Sequence, residues 1–301
     1  MAIGLQSYQD GVRKDDVLDL ITNVDYKNTP LYSGLGTTTA FNTYHEWPED
    51  TFDAAAHNAV IEGADATVVD HTTATRKGNI TQIFRKVLQV TDTERAIDIY
   101  GMKDPYAYQQ MKAMVAFARD VENALVAGTT ASGSSGVARK LSGAIQQIST
   151  NKTARNSGTS LTEVEFNDIF QGIYDSGTED VANEVYVNSY LKRAISRLTG
   201  GATKQVDASD KRLWNSVSVY EGDFGTVRVY LSRVMPNAAA ACALLAIRPE
   251  YLKVAYLNGR KPKHTPLAKT GSATKGMIEG ELTLEVRGEK TCAYRSGYVR
   301  S

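Results

Sequence analysis

Cysteine, histidine and unbalanced charge are all scarce in this sequence, and each scarcity removes a class of function. Only two cysteines occur in 301 residues, Cys242 and Cys292. They lie far apart without CxxC spacing, so each reads as a small buried apolar residue and not as half of a disulfide. The four histidines, His45, His57, His71 and His264, never fall at HxxxH spacing or beside a cysteine, which leaves no metal-ligand pattern and no cofactor to expect. Lys plus Arg equals Asp plus Glu at 34 each, so the molecule has no net field to draw it to nucleic acid or to a membrane; any such contact must be local. No run approaches the roughly 18 apolar residues of a membrane span. The start, MAIGLQSYQDGVRKDD, has no apolar central region of a secretory signal, so the chain is expected to be made and used in the cytosol or carried out by other means.

Enzyme signatures are equally sparse. Ser189-Tyr190-Leu191-Lys192 fits the SxxK of acyl-serine enzymes, but the accompanying SDN and KTG elements are missing, and Lys192 reads as a helix surface charge. Gly271 to Gly276 lacks the order in which backbone amides cradle a phosphate. His45 and Glu46 are strand neighbours whose side chains diverge, so they cannot act as base and orienter. LAKTG, Leu267 to Gly271, resembles a cell-wall sorting signal, yet no apolar segment follows it. Instead Ile278, Gly280, Leu282, Leu284 and Val286 alternate with Glu279, Glu281, Thr283, Glu285 and Arg287, the pattern of a half-buried strand.

What is present is a succession of well-marked elements. Asp15-Asp16 precede Val17, Leu20, Ile21 and Val24, an amphipathic helix with acids at its start. Residues 37–47 and 79–91 are β-rich and read as partnered strands. Asp104 as N-cap, Pro105 at the first helical position and Gly128 as stop frame one long helix of roughly 36 Å. Its apolar stripe is Ala107, Met111, Met114, Val115, Ala118, Val121 and Leu125, with Lys112 and Arg119 on the solvated side. The segment Gly128 to Gly136 is a flexible linker by composition. A capping box at Thr162 and Glu165 starts another helix that stops at Gly177. A strand at 184–188 runs into a helix from Ser189 to Leu198, a hairpin turns at 221–225, and Ala241 to Arg248 is a buried strand.

Two stretches point outward. Pro48 to Gly78 contains few large apolar residues, Phe52, Val60, Ile61, Val68 and Val69 among them, and cannot bury enough surface to hold itself together. Flanked by strands, it reads as an extended arm whose order comes from a neighbour. Trp47, Glu49 and the five apolar residues just named are its candidate contacts between subunits. From Asn258 to Met277 there is no acid but five cations, Arg260, Lys261, Lys263, Lys269 and Lys275, which form a candidate basic contact loop.

The order of these parts resembles the major capsid proteins of tailed bacteriophages. The likeness is carried by Thr29-Pro30, His45-Glu46-Trp47, Gly78-Asn79, Arg119 to Glu122, Tyr220 to Val229, and LAKTG with Leu282 to Arg287, spread over nearly the whole chain. The resemblance implies an α+β, Hong Kong 97-like phage capsid fold: an N-terminal arm (1–36), an extended E-loop (37–91), a peripheral domain with a long spine helix (92–136), an axial domain (137–248) and returning peripheral strands (249–301). It implies a non-enzymatic subunit that tiles hexamers and pentamers into an icosahedral shell around double-stranded DNA bound without sequence preference. Portal, scaffolding and decoration proteins are the implied partners, and the shell is assembled in the host bacterial cytoplasm to become part of the virion. An encapsulin-like compartment shares the fold, and a soluble α/β hydrolase is the alternative of a different class.

Overall fold

The structure, a computed structural model, describes residues 25–66, 72–154, 160–198, 218–238 and 241–299. The expected first helix, Asp15 to Val24, lies outside the described residues. Helix α1 (Pro30–Gly34) leads into β1 (Gly36–Ala40), β2 (Tyr44–Glu49), β3 (Thr75–Ile80) and β4 (Gln82–Thr91). Helices α2 (Asp92–Ala96), α3 (Pro105–Ala127) and α4 (Ala144–Gln147) follow, then β5 (Lys152–Ala154), α5 (Glu163–Asp175), β6 (Glu184–Val187) and α6 (Ser189–Leu198). The remainder is strand-rich: β7 (Val219–Gly222), β8 (Gly225–Leu231), β9 (Asn237–Ala238), β10 (Ala241–Ile247), β11 (Leu252–Leu257), β12 (Lys263–Pro266), β13 (Ala273–Val286) and β14 (Ala293–Tyr298).

These strands form two sheets and a separate ribbon. The first sheet runs β1-β11-β13-β12, with β4 also along β13; the second runs β5-β14-β10-β6-β8-β7, with β9 on β10; β2 and β3 pair only with each other. Helix α3 lies on the first sheet, where Phe117 meets Phe84 edge to face at 6.1 Å and Val121 and Leu125 are fully buried. Helices α5 and α6 cover the second sheet through Phe166, Ile169, Leu191 and Ile195. Strand β10 joins the two cores, since Ala243, Leu245 and Ile247 face one and Cys242, Leu244 and Ala246 the other. Both faces of an apolar strand are then dry, as its unbroken apolar run requires.

Local signals are honoured where the chemistry is local. Asp104 accepts the Tyr106 amide, Pro105 opens α3, and the Gly128 amide closes it on Ala124. Thr162 and Glu165 form the reciprocal capping box of α5. Cys242 and Cys292 are free and buried; burial pushes the Cys292 thiol up to about 11.

Five expectations are corrected. Residues 37–47 are not one strand: the chain breaks at Phe41–Thr43, so β1 joins the first sheet, while β2 leaves for the ribbon. The break at Thr81 does the same on the return, and residues 82–91 pair with β13, not with 37–47. Strand β13 is not half-buried, because Glu281, Thr283 and Glu285 are as inaccessible as the apolar parity. The expected linker after Gly128 folds back on itself through bridges Ala131–Lys140 and Ser134–Val137, with Gly133 and Gly136 supplying the left-handed turns. Finally, β14 returns to the second sheet, pairing with β10 and β5, so residues 249–301 do not all rejoin the first.

The α3 stripe is also only half right. Val121 and Leu125 are buried, but Met111 and Met114 are largely exposed, so Met114 lies outside the described core. Arg119 is not simply solvated: its guanidinium lies over the Tyr26 ring, 4.1 Å from the centroid.

Candidate assembly interface

The β2–β3 ribbon is an arm with two different ends. At the root, register runs from Tyr44–Ile80 to Glu49–Thr75. Gly78 is required there because a Cβ would come within 2.8 Å of the Tyr44 ring and 2.9 Å of the His45 carbonyl. Beyond Glu49 every described residue from 50 to 66 and from 72 to 76 is exposed. A few bonds hold its stem, such as Thr72 Oγ1 donating to the Thr51 carbonyl at 2.7 Å. Phe52, Val60 and Ile61 are fully or mostly in solvent, which is how apolar contacts awaiting a partner present themselves. Val68 and Val69 lie outside the described residues.

The root is clamped. Asn79, 2 % exposed, donates from Nδ2 to the carbonyls of Leu284 (2.8 Å) and Ser142 (2.9 Å) and accepts the Ser142 amide at 2.9 Å. One side chain thus ties the ribbon, β13 and the segment before α4. Thr81 Oγ1 donates to Glu281 at 2.6 Å; Arg139 reaches the same carboxylate at 2.8 Å and Arg260 at 3.0 Å. Glu285 receives His45 at 3.1 Å and the Arg287 guanidinium. Two carboxylates on a sheet face, each with cationic or hydroxyl partners, explain why that face is buried: an unpartnered charge there would cost several kcal/mol. Trp47 is only 5 % exposed, its indole N–H turned to Glu49, which also pairs with Lys77 at 2.8 Å. Trp47 thus lies against its own subunit, beside Gln147, Val286 and Glu289, and Glu49 is held within the ribbon by Trp47 and Lys77.

Most cations of the basic loop have partners within the subunit. Arg260 binds Glu279 (2.6 Å) as well as Glu281, Lys269 binds Asp92 (2.6 Å), Lys275 donates to Thr270 (2.8 Å), and Lys261 lies over the Tyr256 ring. Lys269, with a lesser share from Ser272, holds the Asp92 carboxyl below its usual range against the opposing effect of burial. Lys263 is exposed on β12, an edge strand, opposite Glu279. Glu279 and Glu281 stand just beyond the 258–277 window and Asp92 far from it in sequence, which is why the window looked unbalanced.

A second clamp was not foreseen. Glu122, 1 % exposed on α3, accepts the amides of Leu31 (3.1 Å) and Tyr32 (2.7 Å) at the start of α1. Burial raises its pKa, and the two amides only partly offset this. Arg119 to Glu122 had been noted only as part of a resemblance; its acid is what fixes the chain leaving the N-terminal segment. The available signal was an acid on the apolar stripe, four residues after Ala118 and seven after Val115.

Among the described residues, the Ser189–Lys192 pattern does not leave Lys192 available as a base. Lys192 is not a free surface charge: its Nζ donates to the Val229 carbonyl at 2.8 Å, and burial lowers its pKa. Among the described residues no group of three or more His, Cys, Asp or Glu could hold a metal ion, and no helix is long and apolar enough to cross a membrane.

A two-sheet body with a long helix across one sheet and an extended, unsupported arm is the Hong Kong 97-like fold of phage head and encapsulin subunits. The family model described as SU10 major capsid protein matches residues 4–297, and the chain belongs to that family. The major capsid protein of Escherichia phage Phieco32 is 25% identical, over 93% of each chain. Among solved structures, the capsid of a native GTA particle superposes with a TM-score of 0.67 at 13% identity, covering 97% of this chain and 98% of that one. The holo-SrpI encapsulin complex from Synechococcus elongatus gives 0.61 at 11% identity, covering 90% and 89%. The chain is thus a major capsid protein, a structural subunit of the phage virion.

Proposed function

We propose that copies of this chain associate as hexamers and pentamers and close into an icosahedral head around double-stranded DNA, with the arm as the lateral clamp. The observation that carries this is the contrast within one ribbon: a root fixed by Asn79, Glu281 and Glu285, and a tip bearing Phe52, Val60 and Ile61 in solvent. A rigid root aims the arm, and an unsupported apolar tip supplies contact area on the next subunit. Individually weak contacts multiply when each subunit holds several others.

In this reading the first sheet with α3 is the peripheral domain, the second sheet with α5 and α6 the axial domain, and residues 41–81 the E-loop proper. DNA is held without sequence preference and weakly, since the molecule is neutral and most of the basic loop is already paired. The subunit has no catalytic turnover of its own. Portal, scaffolding and decoration proteins are supplied separately, and assembly takes place in the cytoplasm of the host bacterium. The encapsulin likeness keeps one alternative in view, a shell filled with protein cargo. Microscopy of the purified chain, with nucleic-acid and protein content of particles from phage-infected cells, separates the readings. Closed shells filled with DNA are expected; shells filled with another protein overturn the DNA reading, and a chain that never forms particles overturns both.

A further inference from the structure

The two helices that cover the second sheet carry opposite charge. From residue 160 to residue 191, through α5 and β6, every Asp, Glu, Lys or Arg is an acid, whereas on α6 from Lys192 onward every one is a cation. Several of those acids are already used: Glu165 closes the capping box, Glu184 accepts the Tyr186 hydroxyl at 2.8 Å, and Asp180 pairs with Arg248 at 3.2 Å. Asp168 and Asp175 are not. Both are exposed on one face of α5, two turns apart, and neither has a partner among the described residues. The same holds for Arg193 and Arg197, one turn apart on α6.

The surroundings of these charges are those of a contact and not of a solvated helix back. Asp175 is the last residue of α5, at the negative end of the helix dipole, and no basic residue stands in that turn. An acid there weakens its own helix, so the subunit alone gives no reason for it. Next to it Tyr174 is 61% exposed and lies 5.9 Å from the Phe224 ring in the β7–β8 turn, with Val164 exposed further along the same face. Exposed aromatic and aliphatic area among charges marks an interaction surface. On the other side, Leu231 at the end of β8 is half exposed and lines a cleft with Ser189, the first residue of α6, and Arg233. Each helix thus displays one sign of charge beside apolar area, and among the described residues no ion pair joins the two.

We propose that the acidic face of α5, with the β7–β8 turn, docks on the cationic face of α6 of the next copy of this chain, head to tail around each ring. The inference rests on the hexamer and pentamer reading above and names the charges that hold those rings. Two unlike patches on one molecule cannot meet through a twofold contact of identical surfaces; they repeat from copy to copy until the rotation closes. Each exposed pair is weak and screened by salt, but a closed ring makes every copy contribute at both of its sides. Unlike charges also set the direction of the ring, because a copy inserted backwards would place like charges opposite one another.

The test uses the full-length chain in three altered forms: Asp168→Arg/Asp175→Arg, Arg193→Glu/Arg197→Glu, and all four changes together. The positions are exposed, so circular dichroism and thermal unfolding should match the unaltered protein in every form. Sedimentation should show particle yield cut roughly tenfold or more in each double variant, where like charges face each other, and restored in the fourfold variant, where the pairs are reversed but matched. Mixing the two double variants sharpens the readout. The two kinds of copy can alternate around a six-membered ring but not around a five-membered one, so six-membered rings without closed shells are expected. Double variants that assemble normally, a fourfold variant as defective as they are, or a loss of folding in any form would overturn the proposal and leave the shell reading intact. Closed shells from the mixture would overturn its placement within the ring. Only an unaltered chain that forms no particles counts against the shell reading itself.

Discussion

The root and the tip of the arm belong to one ribbon and follow opposite rules. At the root, a buried asparagine, a threonine and a histidine meet carbonyls and carboxylates of the subunit's own sheet, and polar chemistry is concealed. At the tip, phenylalanine, valine and isoleucine face solvent, and apolar chemistry is displayed. The inversion of the usual arrangement teaches where the two ends differ: the root completes the subunit, while the tip, on the reading proposed above, is finished by another one. Substitutions at the two ends should therefore separate folding from assembly.

The largest expected effect is on folding. Leu284, fully buried on β13, stands on the face opposite Glu281 and Glu285. Leu284→Asp puts a carboxylate where no partner exists, a penalty of several kcal/mol, and should yield no soluble native subunit. Phe52→Asp at the tip should leave thermal unfolding unchanged and reduce shell yield. A native-like Leu284→Asp chain would show that the face of β13 bearing Leu284 is not part of the subunit's apolar core.

Next comes loss of assembly with the fold retained. Replacing Glu49 to Arg76 by a two-residue Asn-Gly turn, which closes antiparallel strands, removes, among the described residues, exposed chain and the half-buried Glu49 with its bonds to Trp47 and Lys77. Circular dichroism should match the unaltered protein, and sedimentation should show no particles. Particles of normal size would refute the clamp, and a failure to fold would place these residues in the subunit's core. Smaller again is Asn79→Ala, which leaves the Leu284 carbonyl and the Ser142 amide and carbonyl without this partner. About 2–4 kcal/mol of unfolding free energy should be lost in denaturant titration, and hydrogen exchange at Ser142 should accelerate.

How much of this could be read in advance follows the range of the interaction. Caps, stops and the turn at Gly177 act over a few residues, so Asp104, Pro105, Gly128 and the Thr162–Glu165 box were legible and stand as expected. The arm was legible from its poverty in large apolar residues. Its root was not: Asn79 meets Leu284 across 205 positions, and Thr81 meets Glu281 across 200, so no spacing rule links them. For the same reason the burial of Trp47 was not legible, and the basic loop looked unbalanced because Glu279, Glu281 and Asp92 lay outside its window. The α3 stripe was read correctly as apolar, but nothing in a helical period says which half is covered.

The smallest effect concerns the second clamp, and its sign can be worked out. Burial raises the Glu122 pKa above its ordinary 4.5, so the folded subunit holds that proton more tightly than the unfolded chain does. The resulting stabilisation is complete below the unfolded value and is lost as pH rises through the folded one. Glu289 behaves oppositely: burial pushes it up, but the Thr150 hydroxyl and the amides of Ser149 and Thr150 outweigh that and lower it, so its contribution is present at neutral pH and lost on acidification. Glu122→Gln removes the first slope and keeps the second. Denaturant titrations of unassembled subunits from about pH 4 to pH 8 should therefore show the Gln variant gaining on the unaltered protein as pH rises. A difference that moves the other way would mean that the ionised Glu122, through the Leu31 and Tyr32 amides, is the form the fold prefers.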